Sequence, residues 1–222
     1  MMIGEEIKAT VFRDTRNFYT RVPEGSVAEQ LITFARKHAG KSILDLGCAT
    51  GNYAKRLMEL GYDVQGADIN PEYVRIAAER GVRAHLAGAT LPFADASFDT
   101  VVMFEVLEHL TDPDSVLREA RRVARKNLVV TTPNCHHVGD LQRMGLLFEH
   151  FADLDHRNFF TPATLNALLL RHFRSTHIEE GDGINPLALM PWKTMRLLGL
   201  GLTRFGLIRP RFHFRLFAVA DV

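Results

Sequence analysis

Residues 43–51 of this 222-residue chain read Ile43-Leu44-Asp45-Leu46-Gly47-Cys48-Ala49-Thr50-Gly51. The first four residues, three of them apolar, are typical of a buried strand, and the glycines that follow predict a sharp turn. Apolar residues at helical spacing come next, over 52–60. Strand, glycine turn and helix form the first unit of a doubly wound α/β sheet, in which ligands bind beyond the carboxyl ends of the strands.

The same alternation continues along the chain. Further strands are predicted over 64–67, 83–86, 100–104 and 128–131, around Ile178 and over 212–219, and further helices after Asn70-Pro71, Asp112-Pro113 and Thr161-Pro162. Strands that alternate with helices form parallel, right-handed βαβ units. We therefore predict one α/β domain over 1–222, with a helical lead-in over 1–40 and a helical insertion or lid over 183–210.

Composition excludes several classes of protein. The formal net charge is +1, which provides no overall field for nucleic acid or anionic membranes. Cys48 and Cys135 are the two cysteines, too few for a disulfide framework. Residues 1–20 lack the apolar core of a signal peptide, and no uncharged apolar run approaches the ~20 residues that span a bilayer. We expect a cytoplasmic protein.

The glycine turn and the acidic residue after it indicate the ligand. Asp68 follows the second strand, where a carboxylate can accept hydrogen bonds from both hydroxyls of a ribose. Ala49 stands where a dinucleotide loop requires its middle glycine, and no lysine occupies a phosphate-loop position. Asp45 at the mouth of the turn would repel phosphate and attract an ammonium group. S-adenosylmethionine (SAM) has a ribose, an amine and no phosphate.

Several segments together resemble the class I SAM-dependent methyltransferases: residues 43–51, Gly66-Ala67-Asp68-Ile69, Leu91-Pro92-Phe93, Ser97-Phe98-Asp99 and Glu105-Val106-Leu107-Glu108-His109. The resemblance implies a Rossmann-like, mostly parallel seven-stranded sheet with an antiparallel last strand. It also implies that the turn backbone embraces the methionine part of SAM, that Asp68 binds the ribose and that Ile69 packs on the adenine. Ala87 stands where relatives commonly carry an acidic residue that bonds the adenine, a role left here to backbone of Gly88 or Ala89.

The predicted cofactor site can be given as one set. It comprises Asp45, Gly47, Cys48, Ala49, Thr50, Gly51, Asp68, Ile69, Gly88, Ala89 and Phe104.

The segment Glu105–His109 is the candidate chemistry on the acceptor side. Glu105 and His109 are predicted as catalytic residues, the glutamate lining the cofactor pocket and the histidine serving as a base. The alternative is structural, with Glu108 and His109 bracing the loop. A third interpretation is a metal site, because small-RNA 2′-O-methyltransferases hold a divalent metal with a similar E-x-x-E-H. His156 would then be a further ligand, with His136 and His137 as other candidates.

The predicted function is methyl transfer from SAM to an oxygen or nitrogen of a small-molecule acceptor, a class that includes lipid- and sugar-linked compounds. The alternatives are a metal-assisted RNA 2′-O-methyltransferase, which the near-neutral charge disfavours, and a non-catalytic SAM-binding domain. The cationic and apolar segment 183–210 predicts either simple packing or a lid with peripheral membrane contact. Several aromatic residues either contact the ligands or only pack the fold: Phe18, Tyr19, Phe148, Phe151, Phe159 and Phe160.

Overall fold

The computed structural model describes residues 20, 22–143, 153, 155–184, 192–207 and 212–222. The strands are β1 (Ser42–Leu46), β2 (Asp63–Asp68), β3 (Arg83–Leu86), β4 (Phe98–Phe104), β5 (Ala124–Pro133), β6 (Ser175–Ile184) and β7 (Phe212–Asp221). The helices are α1 (Glu29–His38), α2 (Asn52–Glu59), α3 (Pro71–Glu79), α4 (Pro113–Val123), α5 (Val138–Arg143), α6 (Pro162–Leu169) and α7 (Lys193–Arg204). A short 3₁₀ turn, Leu107–His109, follows β4.

All seven strands belong to one sheet in the order β3-β2-β1-β4-β5-β7-β6. The first five pair in parallel. Strand β7 lies between β5 and β6 and is antiparallel to both, so β6 runs in the same direction as the first five strands. The predicted seven-stranded, mostly parallel sheet with an antiparallel last strand is confirmed.

Each face of the sheet is covered by helices, which makes the strands near-continuously apolar. One core packs α4 and α6 against Leu44, Val101 and Leu128. The other packs α1, α2 and α3 against Ile43, Val102 and Val129, the neighbouring residues whose side chains point to the opposite face. The alternation of adjacent residues between two cores explains why β4 is buried along its whole length.

Three helices begin where their capping sequences predict. The side chains of Asn70, Asp112 and Thr161 accept hydrogen bonds from backbone amides in the first turn, and a proline follows each of them. Such caps satisfy amide donors that the helix itself leaves free. Because β2 and β4 both run parallel to β1, the helices that follow them begin beyond the same edge of the sheet.

The segment predicted as a helical insertion over 183–210 contains helix α7, but residues 183 and 184 belong to β6. Helix α7 runs through Gly199 and Gly201, although glycine is a poor helix former. A helical glycine costs about 1 kcal/mol relative to alanine without forbidding the helix, and the chain turns only at Gly206, whose φ is +69°. In the described part of the chain, no helix is long and apolar enough to cross a membrane. Four of the aromatic residues considered above, Phe18, Tyr19, Phe148 and Phe151, lie outside the described residues.

Candidate functional site

The turn after β1 is held in an uncommon backbone conformation. Gly47 and Gly51 both have φ of 82°, and Ala49 between them has φ of 44°. The backbone amides of Gly47 and Cys48 donate hydrogen bonds to the carbonyl of Ala67, at 2.7 and 3.1 Å. The turn is thus fixed to the end of β2, and three left-handed residues in five shape a concave backbone surface.

Gly47 connects this turn to the acceptor-side segment. A Cβ atom added to Gly47 would lie 2.5 Å from Cγ2 of Val106, which is too close for any real side chain. Gly51 is similarly enclosed, since its Cβ would lie 2.9 Å from Cγ2 of Val82. The turn over residues 47–51, hereafter the cofactor turn, therefore packs directly on the segment that carries Glu105 and His109.

Asp45 is buried at the mouth of the turn. Only 2% of its surface is exposed, and its Oδ2 atom has no hydrogen-bond partner among the described residues. Burial, with a smaller contribution from the charge of Asp68, raises the pKa of the Asp45 carboxyl to about 7. A buried carboxylate with an unsatisfied oxygen is unfavourable, and a ligand ammonium group would supply both an opposite charge and the missing donor.

Asp68 is held by the backbone of the same turn. Its Oδ2 accepts a hydrogen bond from the amide of Ala49 at 2.9 Å, and its Oδ1 accepts one from the amide of Asn70 at 2.9 Å. Burial raises its pKa, and these hydrogen bonds oppose that shift. Each carboxylate oxygen keeps a further lone pair, so the side chain can still accept hydrogen bonds from a ribose. Ile69 beside it is 77% exposed and offers an apolar surface at the same place.

The remaining residues of the predicted cofactor site differ in how they are placed. The side chain of Thr50 accepts a hydrogen bond from Arg80 at 2.8 Å and points toward α3, so only its backbone can face a ligand in the turn. Cys48 is buried, and burial raises its pKa. The ring of Phe104 is buried, and its centroid lies 5.0 Å from the ring centroid of Tyr53. Gly88 and Ala89 are exposed just beyond β3.

Glu105 follows β4 and forms an ion pair that its local sequence does not predict. Its Oε1 accepts a hydrogen bond from Nε of Arg215 at 3.0 Å, and Asp182 binds the same guanidinium. Burial raises the pKa of Glu105, and the charge of Arg215 opposes the shift. Glu105 and Asp182 both have positive φ, 55° and 54°. A lone arginine in an apolar terminal strand was the available signal in the sequence.

Glu108, His109 and His156 lie together next to that ion pair. Glu108 is 1% exposed; its Oε2 accepts a hydrogen bond from the hydroxyl of Thr132 at 3.1 Å, and its Oε1 has no partner among the described residues. The rings of His109 and His156 meet edge to face with centroids 4.6 Å apart. One ligand atom from each of the three side chains lies within 4.8 Å of the others.

The electrostatics of this cluster favour a bound cation. Burial, reinforced by the charge of Glu105, raises the pKa of Glu108 well above its usual value. Burial also lowers the pKa of His109, which keeps its imidazole neutral near pH 7. A carboxylate and two imidazoles suit Mg, Mn or Zn without selecting among them. Neutral imidazole is also the form that a general base requires.

Asn158 fixes the 3₁₀ turn, a role that the sequence did not reveal. Its side-chain amide donates to the carbonyls of Leu107 and Leu110, at 3.0 and 2.7 Å. The backbone amide of Asn158 donates to the carbonyl of Glu108 at 3.0 Å. The segment before α6 thereby holds His156 against the end of β4.

His136 and His137, the other candidate ligands, lie elsewhere. Their rings stack at 4.4 Å, and Nδ1 of His136 lies 3.3 Å from Oε1 of Glu180. These three residues form a second group with ligand atoms within 4.8 Å, but His136 and Glu180 are exposed at the surface. The structure does not bring them into the group around Glu108.

Known proteins resemble this chain in sequence and in fold. A family profile described as a methyltransferase domain matches residues 44–130. The malonyl-[acyl-carrier protein] O-methyltransferase of Serratia marcescens is 30% identical over 181 residues, 80% of this chain and 70% of that protein. The ubiquinone biosynthesis O-methyltransferase of Xanthomonas oryzae pv. oryzae is 30% identical over 172 residues, 70% of this chain and 69% of that protein.

Other curated relatives are matched over 39–41% of their length. Among solved structures, a SAM-dependent methyltransferase from Archaeoglobus fulgidus superposes with a TM-score of 0.64 at 21% identity, covering 87% of this chain and 92% of that one. At this identity the superposition supports the fold alone.

Proposed function

Because the chain belongs to the class I SAM-dependent methyltransferases, we propose that it transfers the methyl group of SAM to an oxygen or nitrogen of a small-molecule acceptor. One observation carries the proposal: Val106 packs on Gly47, so the segment with Glu105 and His109 adjoins the cofactor turn. Two curated relatives are named as O-methyltransferases, which supports oxygen as the accepting atom. The acceptor class includes lipid- and sugar-linked compounds.

The residues of the β1 turn are proposed to bind SAM. Asp45 would hold the ammonium group, and the backbone from Gly47 through Cys48, Ala49 and Thr50 to Gly51 would enclose the methionine part. Asp68 would accept the ribose hydroxyls, and Ile69 would pack on one face of the adenine, with Gly88, Ala89 and Phe104 completing the site. The unpartnered Oδ2 of Asp45 and the exposed side chain of Ile69 support this arrangement.

The chemistry requires alignment more than it requires stabilisation of a developing anion. When bound, SAM supplies a methyl group on a positively charged sulfur. Fixing an acceptor in line with that bond can contribute about 7–11 kcal/mol. His109, kept neutral by burial, would accept the proton of an acceptor hydroxyl, and Glu105 would line the pocket beside it.

Methyl transfer can be tested with labelled SAM and a panel of hydroxyl, carboxyl and amine acceptors. His109→Ala should lower kcat on a hydroxyl acceptor by roughly 10²–10⁴-fold while SAM affinity stays within about twofold. His177→Ala is the matched control, because the side chain of His177 is 65% exposed and remote in sequence from the turn. An unchanged kcat in His109→Ala would remove the general base from the proposal. Binding of SAM without turnover on any acceptor would favour a non-catalytic SAM-binding domain.

A second candidate function, metal-assisted methylation of a hydroxyl, rests on the unpartnered Oε1 of Glu108. Glu108, His109 and His156 would hold a divalent ion, and such an ion would lower the pKa of a coordinated hydroxyl. The similar E-x-x-E-H of small-RNA 2′-O-methyltransferases adds an RNA acceptor to the panel. The net charge of +1 argues for small molecules first.

Metal content decides between the two candidates. Elemental analysis of the purified protein should find about one divalent ion for each chain if the cluster binds metal. Glu108→Gln and His156→Ala should lose the ion and keep SAM affinity, whereas His177→Ala should keep both. Turnover that is indifferent to chelation would leave His109 as a base alone.

A further inference from the structure

Helix α7 and its flanks expose a concentration of large apolar side chains. Ten such residues are exposed in the described part of the chain, and six of them lie between residues 192 and 207. Those six are Trp192, Leu197, Leu198, Leu200, Phe205 and Leu207, each more than half exposed. Isolated exposed leucines are ordinary, but a concentration of exposed apolar side chains within one sixteen-residue segment is typical of an interaction surface.

Helix α7 is largely exposed. At the α-helical period, Lys193, Leu197 and Leu200 follow one another along one exposed side. Gly199 is buried, and Met195 and Leu202 are half-buried. The leucines at 197, 198 and 200 are therefore left mainly in contact with solvent.

Charge in this segment is of one sign. Residues 192–207 contain Lys193, Arg196 and Arg204 and no acidic residue, in a protein whose overall net charge is only +1. A tryptophan, leucines and a phenylalanine interspersed with cations are typical of helices that lie in the interface of a membrane. A helix of twelve residues is about 18 Å long, short of the ~30 Å hydrocarbon thickness, which suits lying on a bilayer.

We infer that the surface formed by residues 192–207, hereafter the α7 surface, binds an anionic lipid bilayer. Charge complementarity favours this partner over a second copy of the chain. A symmetric dimer through α7 would place the same cationic helix on both sides of the contact. The inference goes beyond methyl transfer and does not depend on it.

The topology indicates where membrane contact would place the sheet edge that carries the cofactor turn. Strand β6 ends at Ile184 and β7 begins at Phe212, so the chain leaves and re-enters the sheet at the edge where β1 and β4 end. The connection that contains α7 therefore starts and finishes at the same edge as the cofactor turn. Docking through α7 would bring that edge toward the bilayer and toward any acceptor anchored in it.

Trp192 provides a local probe, because it is the single tryptophan of the chain. The experiment adds full-length protein, without SAM or acceptor, to vesicles of phosphatidylcholine alone or with about one third phosphatidylglycerol. With the anionic vesicles at low ionic strength, we expect the protein to co-sediment and the Trp192 emission to shift to shorter wavelength. Both effects should weaken severalfold at about 0.5 M salt and be absent with phosphatidylcholine alone.

Variants distinguish vesicle binding through the α7 surface from nonspecific adhesion. The double change Leu197→Glu and Leu200→Glu should lower vesicle partitioning by about tenfold or more, since it removes apolar area and adds repulsion. Leu170→Glu is the matched control, as Leu170 is 48% exposed at the end of α6 and should partition like wild type. Retained SAM affinity in both variants shows that the fold is intact.

Three results would overturn the inference. The first is wild-type protein that stays in the supernatant with anionic vesicles at low salt. The second is equal partitioning of the α7 double variant and Leu170→Glu. The third is a lipid-free dimer in light scattering that the double variant alone converts to monomer, since a second copy would then cover the α7 surface.

Discussion

Replacing Asp45 with asparagine should stabilise the protein in the absence of SAM. The carboxyl pKa is raised from 3.8 to about 7 by burial and by the neighbouring charge of Asp68. An acid whose pKa is higher in the folded state opposes folding once it is ionised, and this cost develops between about pH 4 and pH 7. At 1.36 kcal/mol for each pKa unit, it reaches an upper limit of about 4 kcal/mol above pH 7. Asn has nearly the same shape and no charge.

The same substitution should weaken SAM binding, and the two effects have one cause. The ammonium group of SAM would favour the ionised carboxylate and lower its pKa in the complex. Wild-type affinity should therefore rise with pH and be about tenfold weaker at pH 6 than well above pH 7, where Asp45 is already ionised. Asp45→Asn should lose this part of the pH dependence and retain only the titration of the ligand.

Urea unfolding at about pH 5.5 and pH 8, together with calorimetric titration of SAM, measures both effects. Asp63→Asn is the matched control, because Asp63 is exposed and its ion pair with Arg83 contributes at most about 1 kcal/mol. The reasoning fails if Asp45→Asn gains no more stability at pH 8 than at pH 5.5. It also fails if the variant binds SAM as tightly as wild type.

Two further predictions concern the turn and the ion pair beside it. Gly47→Ala should lower SAM affinity at least about tenfold, since its Cβ would lie 2.5 Å from Val106, whereas Gly61→Ala, also at positive φ but with open space around it, should bind SAM normally and lose only about 1 kcal/mol of stability. Arg215→Gln should destabilise the protein by roughly 2 kcal/mol in urea unfolding, because it leaves the half-buried Glu105 without its cation. Adding Glu105→Gln should restore part of that loss, and a double variant as unstable as the sum of the two single ones would show that the pair is not coupled.

The sequence predicted those features that depend on local pattern. Strand and helix periods, the caps at Asn70 and Thr161 and the glycine turn are all encoded within a few residues, and the structure confirms them. Methyltransferase membership also followed from short motifs, and the comparisons confirm it. The roles proposed for individual site residues stay predictions.

Features that depend on distant parts of the chain could not be predicted. Arg215 meets Glu105 across 110 positions of sequence, and only the insertion of β7 next to β5 brings the two strands together. The direction of the Thr50 side chain is set by its hydrogen bond from Arg80, the residue that follows α3. Helix α7 continues through Gly199 and Gly201 although both residues disfavour a helix locally, and the chain turns at Gly206.

The position of β7 also determines the order in which the strands can pair during synthesis. Among the strands that the structure describes, β6 pairs only with β7, which follows it in the chain and joins it to β5. During synthesis β6 therefore stays unpaired until β7 has left the ribosome, although β1 to β5 can already associate. Arg215 arrives with β7, so a nascent chain acquires the partner of Glu105 in the same step that closes its sheet. A truncated chain that lacks β7 would expose the unpaired backbone groups of β5 and β6, and would be prone to aggregation and proteolysis.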